Sequence, residues 1–290
     1  MKGLLIVNQF VNSDKFTEIY QMLQNAAKGL NIQLTLKKSG ELLHNISCLK
    51  QLSCDFILFW DKDILLAKML EACGYPVFNS ADAIFHCDNK GYTELILQQN
   101  GIRTPLTFIA PLTYERYGYS PSSFAEEIIG RLGFPMVVKE LRGSFGQQVY
   151  LVRDRTEMNA ILVKVGYKGI LFQQFIEESA GKDIRVNVVG DRVVSSMLRY
   201  SVNGDFRSNI TNGGHMKPFE PNDRQKSAAV SACRALGLNF AGVDILFGKD
   251  GEPIVCEVNS NPHFKSSLDC TGVDMSPLIL SHIKERVQKR

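Results

Sequence analysis

Two apolar runs near the C-terminal end constrain this chain most. Ala-Gly-Val-Asp-Ile-Leu-Phe at 241–247 and Ile-Val-Cys-Glu-Val-Asn at 254–259 are rich in β-branched residues, so each reads as a buried strand. Gly248-Lys249-Asp250-Gly251 between them reads as a tight turn, which makes the pair an antiparallel hairpin. Side chains alternate faces along a strand, so Glu257 and Asn259 point the same way, and the pairing brings Asp244 beside them. Three oxygen donors on adjacent strands, with positions left for water and phosphate, suit a hard cation such as Mg²⁺. The plainer alternative is an ordinary exposed carboxylate at Glu257.

The first part of the chain alternates strand and helix. Gly3–Val7, Ile32–Leu36, Asp55–Trp60 and Tyr75–Phe78 read as strands, Lys15–Leu30 and Asp63–Ala72 as helices, which implies a small parallel α/β lobe. No Gly-x-Gly-x-x-Gly follows the first strand, so the dinucleotide fingerprint is absent. Ser80 is expected to cap one short helix and Asp88 a second. Lys90 falls in the first turn of that second helix, against the dipole; it is either exposed and tolerated or held by an anion.

Beyond residue 101 the pattern changes. Ser123 starts a helix through a capping box with Glu126. Phe134–Glu140 is an apolar strand carrying Lys139, which needs an anionic partner or a route to solvent. Leu141-Arg142-Gly143-Ser144-Phe145-Gly146 then leads to a further strand, Val149–Val152. Glycine in such a hairpin tip lets backbone lie over phosphates, although two glycines alone signal only a turn. Gly169–Ile176 is a strand, Asp183–Val189 and Arg192–Tyr200 a hairpin, Pro221–Leu236 a helix, 260–274 a loop, and a last helix starts near Met275. A lysine and a glycine loop facing a cation site and Arg207 is the arrangement expected for a nucleoside triphosphate.

Composition removes other classes. The 290 residues are 44% hydrophobic and 22% charged, enough for two or three globular lobes. The net charge of +3 comes without a basic block, which argues against nucleic acid. Seven cysteines without a Cys-x-x-Cys pair argue against a zinc or disulfide scaffold and suit a reducing cytoplasm. No apolar run approaches the length of a membrane span.

Lys139 ahead of Arg142-Gly143-Ser144-Phe145-Gly146, then Phe172-Gln173-Gln174-Phe175-Ile176, Asp183-Ile184-Arg185, Gly204-Asp205-Phe206-Arg207-Ser208-Asn209, Ala241-Gly242-Val243-Asp244-Ile245 and Glu257-Val258-Asn259 resemble, in order and spacing, the ATP-grasp ligases of the RimK type. The resemblance covers nearly the whole chain. It implies an α+β / α/β, three-lobed ATP-grasp fold: a parallel α/β lobe over 1–100, a central lobe with a glycine-rich lid over 101–182, and a C-terminal lobe with the metal site over 183–290. The implied reaction phosphorylates a carboxylate to an acyl phosphate, which an amine attacks to give an amide, ADP and phosphate.

By the same resemblance, Lys90, Lys139, Gly143, Ser144 and Gly146 look like phosphate contacts. Gln174 and Phe175 look like the segment whose backbone reads adenine, and Asp183 looks like the ribose contact. Arg207, Ser208 and Asn209 look like the part facing the transferring phosphate, with Lys139, Arg207 and Asn209 as the catalytic set. Asp244, Glu257 and Asn259 look like the ligands of Mg²⁺ or Mn²⁺. Gln174 stands where RimK has Glu, Gln147-Gln148 where Ile-Gly is more usual, and Ser260–Ser267 looks closer to the LysX ligases. The amino acid is expected to be anionic, glutamate first, with Arg185, Arg199, His263 and Lys265 as candidates to recognise it; a surface ion pair of Arg185 or Arg199 with Glu178 or Asp191 is the alternative. The acceptor carboxylate belongs to a protein C-terminus, a carrier protein or a metabolite, and association of identical chains is left open. From another class, the alternative is a nucleotide-binding regulatory module without ligase turnover.

Overall fold

The computed structural model describes residues 1–119, 123–143, 146–208 and 214–289, so Ser144 and Asn209 lie outside the described residues. Three sheets organise the chain. The first joins β1 (Lys2–Val7), β2 (Gln33–Lys38), β3 (Phe56–Trp60) and β4 (Val77–Phe78) in the order β2-β1-β3-β4, all parallel. Parallel neighbours need crossovers, and these run through α1 (Asp14–Gly29), the single-turn α2 (Ile46–Leu49) and α3 (Ile64–Ala72). Alternation sorts the side chains: Leu5, Val7, Leu58 and Trp60 pack toward α1, while Leu4, Ile6, Ile57 and Phe59 pack toward α3 and α4 (Ala81–Asp88). Both faces are covered, which is why every residue of β3 is buried.

α5 (Lys90–Gln99) follows α4 after one residue. Asn89, one position beyond the expected Asp88, is its cap and accepts from the Gly91 and Tyr92 N–H groups. Asp88 instead ends α4 and accepts from Lys62 Nζ at 2.5 Å.

The second sheet is antiparallel, ordered β5-β8-β6-β7 from β5 (Thr107–Ile109), β6 (Met136–Glu140), β7 (Val149–Val152) and β8 (Ile170–Gln174). Met136, Val138, Ile170 and Phe172 pack with Ile128 of α6 (Ser123–Leu132) and with Met158 and Leu162 of α7 (Arg155–Val165). The third sheet, also antiparallel, runs β11-β10-β9-β12-β13 from β9 (Lys182–Val189), β10 (Arg192–Tyr200), β11 (His215–Pro218), β12 (Phe240–Phe247) and β13 (Pro253–Asn259). α8 (Asp223–Ala235), closed at its start by an Asn222–Gln225 capping box, covers one face.

Two elements depart from expectation. β11 is a short, mostly exposed edge strand, His-Met-Lys-Pro, with no apolar alternation to announce it. α9 (Lys265–Thr271) occupies part of the expected loop; Phe264 at its N-cap makes no side-chain bond, so the usual start signal is missing. α10 (Met275–Gln288), capped by Asp274, returns to the first sheet, where Met275, Ile279, Leu280 and Ile283 share a core with α1. Trp60 stacks on Phe240 at 5.5 Å and meets Phe264 edge-on at 5.7 Å, joining the first sheet to the third.

Candidate active site

A pocket lies between the second and third sheets. On the third sheet, Ile184, Val186 and Val188 of β9 and Ala241, Val243 and Ile245 of β12 face α8. Alternation therefore turns Asp183, Arg185 and Asp244 to the opposite face, and Asp183 and Asp244 line the pocket with Arg199 of β10. β13 breaks the alternation. Its register moves from Asp244↔Glu257 to Ile245↔Val255, leaving Cys256 as the extra residue of a β-bulge. Val255 and Val258 both pack toward α8, and Cys256 and Glu257 between them both line the pocket. The second sheet contributes Val137, Lys139, Val149, Gln173 and Gln174, followed by Phe175 and Ile176; Gly146, Phe206, Arg207 and Ser208 complete the wall.

The cations expected at phosphates come together here. Lys139 is 7% exposed, and its Nζ donates to Cys256 Sγ at 3.4 Å. Burial works against its charge, but the Cys256 sulfur, Glu257 and Glu94 outweigh it and hold the amine above its ordinary pKa. Lys90 is held rather than exposed: its Nζ donates to Gly143 O at 3.1 Å and lies 3.7 Å from Glu257 Oε1. Arg207 donates from Nε and Nη2 to Asp205 at 3.1 and 2.8 Å and from Nη1 to Gly146 O at 3.0 Å. Lys90 and Arg207 thus bind the carbonyls of Gly143 and Gly146 from outside the second sheet. Gln174 lines the pocket, but its N–H is already donated to Leu106 O at 2.8 Å, so that N–H is not free to read a base.

Asp183, Arg199, Asp244 and Arg185 form a ladder of alternating charge across three strands. Arg199 Nε and Nη2 donate to Asp183 at 2.7 and 2.6 Å, and Nη2 also lies 3.0 Å from Asp244. Arg185 Nε donates to Asp244 Oδ1 and Nη2 to Oδ2 at 2.9 Å. The two arginines overcome the burial of Asp244 and hold its carboxyl below the usual carboxylate range. This places three expected residues differently. Arg199, 5% exposed, pairs with Asp183 and Asp244 in the wall of the pocket. Each oxygen of Asp183 accepts one bond from Arg199, which leaves about two acceptor positions on a carboxylate that lines the pocket. Asp244 has about one acceptor position left of the roughly four a carboxylate offers. The surface partners considered for these arginines are not used; Asp191 pairs with Arg234.

Arg185 reaches its place because residue 242 is glycine. A Cβ there would stand 3.0 Å from Arg185 Cδ and Nη1 and 3.1 Å from Pro262 Cβ. The guanidinium thus lies over β12 on the way to the segment after β13. Three buried side-chain atoms at the end of β13 and on that segment, Asn259 Nδ2, Asn261 Oδ1 and His263 Nε2, have no hydrogen-bond partner among the described residues. Asn261 Nδ2 donates to Asp61 O at 3.0 Å, where β3 ends; Asn8, just past β1, donates to the Asp61 carboxylate at 3.0 and 3.2 Å. Burial, then the charges of Lys15 and Arg185, keep the His263 ring below its ordinary pKa. Lys265 turns away to Asp269, one helical turn along α9. Cys256, Asn261 and Asp61 carry no motif that would have singled them out; the only hint of the bulge is two non-β-branched residues between Val255 and Val258.

The family model described as a RimK-like ATP-grasp domain matches residues 87–283. The chain belongs to the RimK-like ATP-grasp family. That makes it an enzyme of the ATP-grasp carboxylate–amine ligase class. It is 33% identical to a probable alpha-L-glutamate ligase of Hahella chejuensis, over 88% of this chain and 82% of that one. It is also 33% identical to beta-citrylglutamate synthase B of Danio rerio, over 79% of this chain, but spans only 56% of that protein's length. A RimK-domain ATP-grasp protein of Sphaerobacter thermophilus shares the fold, with a TM-score of 0.73 at 21% identity over 97% of this chain and 99% of that one. Among the described residues, no helix is long and apolar enough to cross a membrane.

Proposed function

We propose that this RimK-like ligase joins the amino group of glutamate to a carboxylate acceptor, with ATP converting that carboxylate to an acyl phosphate. The observation that carries the reading is the pocket itself, where Lys139, Arg207 and Glu257 meet between the apolar side chains of Val137, Val149, Phe175, Ile176 and Leu246. The apolar walls suit a flat base, and the cations suit a triphosphate whose transfer depends on positioning and charge neutralisation. Lys139 and Arg207 neutralise and orient the phosphates, and Lys90 holds the Gly143 carbonyl.

The donor set beside them fits a hard cation. Glu257 and Asn259 offer oxygen, the Asn259 amide nitrogen is not tied to the protein, and Asp244 keeps one position open. A bound Mg²⁺ would supply further neutralisation of phosphate charge. Turnover is expected with Mg²⁺ or Mn²⁺ and not with Zn²⁺, because softer nitrogen and sulfur donors are missing from this set. ADP release measured in each metal after chelation checks this, and equal rates with Zn²⁺ would contradict the ligands.

Arg185 Nη1, Asn261 and His263 are the groups left to bind the reacting molecules. A guanidinium edge beside unpartnered polar atoms suits a carboxylate-bearing amino acid, and both relatives' names contain glutamate. The test is a matrix of amino acids and carboxylates, scored by ADP release and product mass. ADP release should require both partners, and glutamate should be used well ahead of glutamine. ADP formed without an amine would make the protein a kinase, nucleotide binding without ADP release would make it a binding module, and glutamine used equally well would remove side-chain carboxylate recognition.

A further inference from the structure

We infer that Cys256 is a positioning residue, whose sulfur aims the Lys139 ammonium at the nucleotide phosphates while leaving its charge available; this deepens the proposed nucleotide reading and rests on it. In a regular β13, Cys256 would lie on the face opposite Glu257, packed toward α8. The register shift at Asp244/Ile245 puts it on the pocket face, so thiol and carboxylate stand side by side. Bulges re-aim side chains in this way next to reacting groups. Of the seven cysteines, Cys256 is the one lining this pocket.

The chemistry of the contact explains why a thiol suits the position. The Lys139 head carries three N–H donors on a flexible stem, and it must be held in one direction to bind an anion promptly. A carboxylate within ion-pair distance would hold it but would also cancel its charge, leaving it with less to offer a phosphate. An apolar side chain would cancel nothing and hold nothing. A sulfur is a weak acceptor of large radius. At 3.4 Å it takes one N–H and leaves two for phosphate oxygens. Glu257 and Glu94 act on Lys139 through charge alone, whereas Cys256 also accepts a hydrogen bond, so the sulfur is the directional partner.

The test compares the binding of ATP and of adenosine, by calorimetry, in the wild type and in Cys256→Ala and Cys256→Ser. Adenosine has the base and ribose but no phosphate, so it reports on the fold and the apolar walls. Cys256→Ala is expected to weaken ATP about fivefold to tenfold, the scale of one ordinary net hydrogen bond, with adenosine unchanged within about twofold. Cys256→Ser, which keeps an acceptor, should recover most of the ATP affinity. In steady state the loss should fall on the KM for ATP more than on kcat. Equal weakening of ATP and adenosine would make Cys256 a packing residue and overturn the inference, as would wild-type ATP affinity in Cys256→Ala. A wild type that binds ATP no better than adenosine would overturn the nucleotide reading itself, and the role of Cys256 with it.

Discussion

Lys139→Ala is expected to lower turnover by about a hundredfold or more while the protein stays folded, the scale seen when a preorganised charge is removed from a site of charge transfer. The magnitude follows from the surroundings of Lys139. Its ammonium is almost fully buried, faces Glu257 and Glu94, and stands in the wall where a triphosphate would lie. Without it, an anionic ligand meets uncompensated carboxylates in a low-dielectric cleft, where each charge counts for more than in water. Lys139→Arg should rescue little, because a planar fork cannot take the place of a compact head fitted against Cys256. Steady-state ADP release, with a thermal melt as the control for folding, decides the matter. Turnover close to wild type in the alanine variant would remove the proposed site.

Arg199→Met should act on stability first. Arg199 is buried and is the partner of two buried acids, Asp183 and Asp244. Removing one member of a buried ion cluster leaves uncompensated charge, at a cost of roughly 3–5 kcal/mol. For a chain of this size the midpoint of thermal unfolding should fall by on the order of 10 °C. Asp183→Asn added to Arg199→Met should return part of the loss, since it removes one of the orphaned charges. An Arg199→Met variant that melts with the wild type would mean that solvent reaches the ladder, and that Arg199 is available to a substrate after all.

The contrast between these two residues marks what was legible in the sequence. Lys139 was readable because a lysine inside an apolar strand has few options. The hairpin of β12 and β13 was readable because its runs are apolar and its turn is rich in glycine. Arg199 was not, because its partners are set by strand neighbours: Asp183 lies opposite it in register, and Asp244 is one strand further on. Cys256 was not, because a bulge shifts a register without changing composition. The partner of Lys90 was not, because Glu257 is distant in sequence and reached only through the fold. Periodicity reports which face is buried; it is silent on which polar group meets which across a sheet.

The return of α10 to the first sheet bears on how the chain is made. Ile279, Leu280 and Ile283 complete the core that α1 shares with Leu5, Leu58 and Trp60. Strands early in this sequence therefore wait for residues more than 200 positions later in it. Until then one side of the parallel sheet has only part of its cover, and its apolar surface is open to other chains. Removing α10 would be felt first among residues synthesised hundreds of positions earlier, in the core of the parallel sheet.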